Sequence, residues 1–391
     1  MPAPAATAAG ARPIQRAHLV GASLLAIGVL AVLPAGQTKL AALFVVGLAL
    51  GLTLYHASFG FTGAYRRLIH TRDMSGAVAQ AAMLAVATLL FAPILATGEI
   101  FGHNASGAVA PVSVAMLTGA FIFGIGMQLG GSCASGTLFL TGGWDGRMVV
   151  TLIFFCAGSW LATLDMDWWR SLPGFGAVSL GHELGFGIAA AMQIAALAGI
   201  LGGLWAMGFR VKRPVWGAID RRRLLRGPWP FLLGGLALAL LNWAVLLIAG
   251  HPWGITWGFT LWGAKTAAAL GWDPATSEYW SVAWRTGALD QSIFANSTSL
   301  MNIGIVLGAM GAAALAGKLQ WPSRIATRPL LAAVVGGLML GYGARLAYGC
   351  NIGAFFSGVA STSLHGWAWI VAAIVGNIIG VRLRPFFRLD G

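Results

Sequence analysis

The sequence predicts an all-α polytopic membrane protein of about nine spans plus four re-entrant half-helices, arranged as two inverted repeats. Three observations carry that reading. Of 391 residues, 58% are hydrophobic and only 9% charged, far below the quarter or so of charge in a soluble domain. Apolar runs of about 20 residues, enough for a helix to cross a hydrocarbon core of about 30 Å, recur along the whole chain. The 24 Lys and Arg, set against 11 Asp and Glu, cluster between those runs as cytoplasmic loops do. The net charge of +13 is therefore a topology signal. It does not mark a nucleic-acid-binding surface. A disordered chain and a disulfide scaffold are excluded too, the latter because the only cysteines are Cys133, Cys156 and Cys350, with no CxxC pair.

The Ala/Pro-rich segment 1–17 is expected to be disordered. Its Arg12 and Arg16 precede an apolar run in the manner of a signal peptide, but the apolar density continues, and residues 18–33 read as the first span. Residues 76–96, 109–129, 148–164 and 184–209 follow as spans and complete a first membrane repeat, 18–209. A basic cytoplasmic linker, 210–228, carries Arg210, Lys212, Arg213, Arg221, Arg222, Arg223 and Arg226. The second repeat, 229–391, holds spans at 231–249, 300–316, 330–347 and 367–381. Glycines interrupt the apolar stretches 40–59 and 255–270, and 134–140 and 351–360 are too short to cross. These four are expected to enter only partway. Placing every basic cluster on the cytoplasmic face then leaves the N-terminus outside and the C-terminus inside, with Arg12 and Arg16 as a mild violation.

The two halves repeat one another. GIGMQLGGSCASGTLF at 124–139 aligns without gaps on GYGARLAYGCNIGAFF at 341–356, at a constant offset of 217. Glycine matches are cheap in such a chain; Cys133/Cys350, Leu129/Leu346 and Phe139/Phe356 in one register are not. Inverted repeats of this kind place binding sites between the halves. Each repeat supplies a span, a glycine-rich break, a cysteine and a short apolar helix. A half-helix starting at such a break aims unpaired N–H groups and a positive dipole end at the membrane middle, which outlines an anion site.

Gly131, Gly349 and Gly353 would let a ligand approach the backbone, or they pack helices closely, as small residues do in membranes. With Ser132 and Asn351 they flank the two cysteines as candidate substrate contacts. A thiol is soft and polarisable and suits sulfur- or selenium-bearing anions. Five residues before the cysteines stand Gln128 and Arg345. An arginine within a span is a functional hypothesis by default: it draws an anion toward Cys350, or else it snorkels or pairs helices. Cys156 reads as apolar filler. The seven histidines show no paired spacing, so neither haem nor metal is indicated, and no GxxxxGK[ST] occurs. Most of the 17 tryptophans flank apolar runs as an interface belt.

GMQLGGSCASGTLFLTGG at 126–143 and GARLAYGCNIGAFFSGVASTSLHGWAW at 343–369 resemble the YeeE/YedE family of membrane proteins. That family includes bacterial thiosulfate uptake transporters and a branch associated with selenium metabolism. The resemblance implies an inner-membrane, inverted-repeat fold in which cysteines hold a small inorganic anion through S–H hydrogen bonds and pass it inward. By motif, Cys350 corresponds to the cysteine nearer the periplasm and Cys133 to another relay member. A small cytoplasmic sulfur-carrier protein of the TusA type is an implied partner. Family members carry a third cysteine in a segment like RFCFxxAFR; here SFGFTGAYR at 58–66 places Gly60 at that position. The resemblance therefore leaves open whether the anion is thiosulfate, another sulfur anion or a selenium compound. Two readings compete with transport: a membrane-bound sulfurtransferase carrying a cysteine persulfide, and a non-transporting anchor, which has no need of duplicated breaks.

Overall fold

The computed structural model describes residues 13–320 and 324–389. Arg12, Trp321, Gly391 and most of the expected disordered tail lie outside the described residues. Eighteen helices follow in order: α1 Arg16–Val32, α2 Thr38–Ala57, α3 Phe61–Thr71, α4 Ser75–Thr97, α5 Val114–Gly130, α6 Ala134–Gly142, α7 Gly146–Leu164, α8 Met166–Ser171, α9 Leu180–Leu184, α10 Phe186–Ala206, α11 Arg221–Arg226, α12 Phe231–Ala249, α13 Thr256–Ala269, α14 Ala283–Asp290, α15 Ser297–Ala316, α16 Thr327–Leu346, α17 Ser357–Ala360 and α18 Leu364–Leu383. A wide, π-wound turn, Asn351–Phe356, leads into α17. Among the described residues, strands are confined to two short antiparallel pairs, Glu99–Ile100 with His103–Asn104 and Pro111–Ser113 with Gly174–Ala177.

Among the described residues, nine helical segments are long and apolar enough to cross a membrane. Three of them continue past an internal break: Thr38–Thr71, Val114–Gly142 and Thr327–Ala360. This is an all-α polytopic membrane protein. The nine are not quite the expected nine. Residues 40–59, expected to be re-entrant, form the 20-residue α2, about 30 Å long at 1.5 Å per residue. Residues 18–33, expected to be a full span, fall in the 17-residue α1. The first half's additional short helix is α3, whose start reads in the sequence only as the counterpart of the third-cysteine segment and not as a half-helix. Glycine explains the misreading of α2, because its glycines are contact points and do not break it. A Cβ on Gly51 would stand 2.1 Å from the Ile305 carbonyl oxygen, and one on Gly308 would stand 2.0 Å from that of Leu48, so α2 and α15 touch backbone to backbone.

Packing pairs the helices across the molecule. α1 lies on α15 as α10 lies on α4, and α2 lies on α15 as α12 lies on α4. α7 packs on α16 as α18 packs on α5, while α2 with α12 and α5 with α16 meet at the centre. The basic clusters gather at one end. Arg222, Arg223 and Arg226 line a hollow with Lys318, Arg147 and Lys318 share another, and Arg67 and Arg213 flank Asp73 at 3.7 Å each. The start of α1 belongs to this end as well, since Gln15 donates from its backbone to the Ala314 carbonyl at 3.0 Å and from Nε2 to that of Leu319 at 2.8 Å. The expectation that the N-terminus lies opposite the basic clusters is thereby corrected. The extra crossing made by α2 reverses α1, and Arg16 joins the other basic residues.

Candidate functional site

Four short helices begin near the middle of the molecule and run outward in pairs. α3 starts after Gly60 and ends at the basic end, where Lys212 Nζ donates to the Thr71 carbonyl. α6 starts after Cys133, and its last turn lines the basic hollow through Leu140 and Gly143. α13 starts after Ile255 and runs the other way, with Lys265 Nζ donating to the Gln291 carbonyl at 2.7 Å. Asn351–Ala360 starts after Cys350 and ends against α9, where Leu180 N–H donates to the Thr362 carbonyl at 2.8 Å. Their starts meet. The Phe61 N–H faces the Cys133 sulfur. Asn351 Nδ2 donates to the Tyr65 hydroxyl of α3 at 3.3 Å. A Cβ on Gly353 would lie 3.9 Å from the Gly254 Cα just before α13. The two cysteines are close enough that a charge on one acts on the other.

Each thiol sits in a nest of donors. Cys133 caps α6, with the N–H groups of Gly136 and Phe61 on its sulfur and the Ser135 hydroxyl at 3.4 Å. Cys350 caps the π-wound turn, and its sulfur accepts from the Ile352 N–H at 3.4 Å, with Gly353 N–H also facing it. Helix N-termini present unpaired donors and a partial positive charge, so this meeting point is suited to hold an anion. At 1% and 0% exposure, Cys133 and Cys350 are sealed from both ends, and the conformation is closed.

The other residues singled out in the sequence divide. Gly131 closes α5 with φ +93, and a Cβ there would press within 3.2 Å of the Arg147 guanidinium; Gly349 stands at φ +150. Both positions favour glycine for the backbone turn alone. Ser132 Oγ fills the place where Gly136 would carry a side chain, 1.8 Å from a Cβ built there. Gln128 is fully buried and donates to Asn377 Oδ1 at 2.7 Å and to the Thr62 carbonyl at 3.3 Å, tying α5 to α18 and α3. Arg345 turns away to the end opposite the basic clusters, over the Tyr279 ring. Gly60 is in ordinary extended backbone (φ −110), and the nearest atom to a Cβ there is 3.9 Å away. Neither positive φ nor a tight contact requires glycine at 60. Cys156 lies half-buried on α7 beside α13, lining an apolar groove of about 470 Å³ with Ile153 and Trp160.

Sequence reasoning missed Thr62, Tyr65 and Asn377. Buried Thr62 Oγ1 and Asn351 Oδ1 have no protein partner, as polar atoms beside a ligand site often do not. The family match decides the class. Residues 56–379 match the sulphur transport family. The chain belongs to that family. The YeeE/YedE resemblance is supported by relatives. "Probable transporter YedE" of Escherichia coli (strain K12) is 34% identical over 166 residues, 41% of this chain and 40% of its own. The Salmonella typhimurium protein of the same name is 35% identical over 159 residues, 39% of this chain and 38% of its own. These two alignments thus span about two fifths of the YedE relatives. "Thiosulfate transporter TsuA" of Spirochaeta thermophila is 27% identical over 345 residues, 85% of this chain and 95% of its own. With nine helical segments among the described residues long and apolar enough to cross a membrane, the chain is a multi-pass membrane protein of the sulphur transport family, and these relatives are named as transporters.

Proposed function

We propose that this transporter takes up a small sulfur-containing anion of the thiosulfate type across a bacterial inner membrane, along a path through the four half-helix starts and past the thiols of Cys350 and Cys133. The observation that carries the reading is the convergence of N-terminal helix ends on two buried thiols in donor nests. A dianion there replaces its hydration shell with backbone N–H, S–H and hydroxyl donors, and soft sulfur meets soft sulfur. The match to TsuA along most of both chains supports the same substrate class. Among the described residues, the hydrogen-bonding groups facing the sulfurs are backbone N–H groups and a serine hydroxyl. A persulfide-forming nucleophile needs an adjacent base or cation, so hydrogen bonding is favoured over sulfur transfer.

In this reading the basic end is cytoplasmic, and Cys350 is the outer and Cys133 the inner station. Two inverted repeats run from α1 to α7 and from α10 to α18, which puts α10 at the head of the second repeat and the 210–228 linker inside it. The hollow of about 440 Å³ lined by Tyr55, Trp144, Arg147 and Lys318 is the inner exit, a basic surface suited to a TusA-like sulfur carrier. Position 60 adjoins the inner station, and the path works with two thiols. The test is uptake of labelled thiosulfate by a bacterial strain lacking its own sulfate and thiosulfate importers. Saturable uptake dependent on this chain is expected. Absence of thiosulfate uptake alongside uptake of a selenium oxyanion would replace the substrate.

A further inference from the structure

At the outer end, opposite the basic loop, three guanidinium groups close on one ring. Arg285 of α14 stands 4.0 Å from the centroid of Tyr279, Arg170 of α8 stands at 5.5 Å, and Arg345 near the end of α16 at 5.9 Å. Arg285 also lies over Trp284 at 4.9 Å and donates from Nη1 to the Tyr279 carbonyl at 2.7 Å. The Tyr279 ring is 2% exposed. It is held in a cluster with Met166, Ala264 and Trp280, against which Trp160, Trp257 and Trp272 pack. The shelf is rigid.

This arrangement needs an explanation. Positive side chains are disfavoured on the translocated side of a membrane protein, and three of them side by side repel. Among the described residues the ion pairs within 4.0 Å involve Asp73 alone, at the other end. Asp167 is the acidic neighbour whose field reaches Arg285. The Nε atoms of Arg285 and Arg345 are buried donors without an acceptor. Cation–π contact fixes a guanidinium in place without an ion pair, so the shelf holds three positioned forks, none with a carboxylate within 4.0 Å among the described residues, suited to a tetrahedral oxyanion. Arg345 stands one helix end from Cys350, with Leu346 to Gly349 between them.

We infer that Arg170, Arg285 and Arg345, held on the Tyr279 shelf, form a capture site at the outer mouth for a small oxyanion, which then passes to Cys350. The inference rests on the transport reading and adds three residues' roles to it. The site raises the local anion concentration at the mouth, and its effect lies in substrate capture.

The test uses the full chain in proteoliposomes, with thiosulfate as substrate and iodide as an anionic quencher of tryptophan fluorescence. Replacing Arg285 and Arg345 together by Gln is expected to raise KM for thiosulfate about tenfold without lowering the maximal rate. The Lys pair should recover most of that loss, and salt should matter less in the Gln variant than in wild type. Iodide should quench the wild type more than the Gln variant, with neutral acrylamide quenching both alike. If the double variant does not fold, Arg170→Gln, at an exposed side chain, carries the same expectation at smaller size. An unchanged KM, or a loss confined to the maximal rate, overturns the capture site. If wild type carries no thiosulfate, the transport reading fails, and the iodide comparison decides the capture site alone: equal quenching overturns it, and greater quenching of wild type supports it.

Discussion

Cys133 and Cys350 occupy equivalent breaks, yet their surroundings differ. Cys133 heads a regular helix, its carbonyl taking both the Thr137 N–H and Oγ1 at 2.8 Å, and its sulfur receives an N–H from a neighbouring half-helix, α3. Cys350 heads a widened turn whose carbonyl is shared by the Ala354 and Phe355 N–H groups at 2.9 and 3.4 Å, and π-wound turns of this kind gather at functional sites. The position five residues earlier tells the same story. Gln128 is locked into the core by Asn377, whereas Arg345 reaches out to the Tyr279 shelf. One scaffold thus carries a widened turn with its arginine swung away at the Cys350 break, and a regular helix with Gln128 bonded into the core at the Cys133 break, where Arg147 and Arg384 hold the Leu129 and Gln128 carbonyls. In the proposed reading, the looser break is the one that meets the anion first.

The comparison can be broken most sharply at the cysteines. Cys350→Ala and Cys133→Ala should each reduce uptake to background, while folded yield and thermal midpoint change little, because each substitution removes a donor and only a small volume. Uptake lost in one variant and intact in the other would mean that the two breaks do not share a function.

A second test concerns how each half-helix is tied down at its far end. α13 is held by the Lys265 ammonium, which donates to the Leu289 and Gln291 carbonyls, and α3 is held by a buried carboxylate, Asp73, through Arg67. Burial acts to raise the Asp73 pKa; two bonds from Ser75, the Lys212 N–H and the Arg67 guanidinium outweigh it and hold the carboxyl below its ordinary value of 3.8. A depressed pKa contributes stability that is present above pH 3.8 and is lost as pH falls through the lower, folded value. Asp73→Asn should therefore cost about 1–2 kcal/mol near neutral pH, less than for a fully buried pair because Arg213 is 57% exposed. Thermal unfolding in detergent should show the gap from wild type closing as the pH drops below 3.8. A gap independent of pH would mean that the charge is idle.

Smaller effects sharpen the picture. With space around Gly60 and ordinary backbone there, Gly60→Cys and Gly60→Ala should both fold, and thiosulfate uptake should rise in the cysteine variant only, by about a few-fold at limiting substrate. If both fold and neither gains, a substrate other than thiosulfate is indicated. Cys156→Ala should be silent in transport and within about 0.5 kcal/mol in stability; an uptake loss comparable to that of Cys350→Ala would assign the groove on α7 a role it lacks in this account.

Much of this was legible in the sequence for a physical reason: a break inside a bilayer must be satisfied by protein, and the two GxxxxxxC segments announce it twice. α3 was not legible because Arg66, Arg67 and His70 interrupt its apolar run, and hydropathy passes over a half-helix whose Arg67 reaches Asp73. The run 40–59 was misread because Gly47 and Gly51 look like interruptions, when they are where α2 meets α15. The Tyr279 shelf drew no notice because its arginines are scattered from 170 to 345 and its tryptophans look like part of an interface belt.

The central claim is that the half-helix starts and the two thiols hold the transported anion. The most direct measurement is a cryo-electron microscopy map of the full chain in saturating thiosulfate. The account predicts density for a tetrahedral anion within hydrogen-bond distance of the Cys350 or Cys133 sulfur, bounded by the N–H groups of Ile352 and Gly353 or of Phe61 and Gly136. Anion density elsewhere in the membrane, with both thiols unoccupied in a chain that transports thiosulfate, would contradict it.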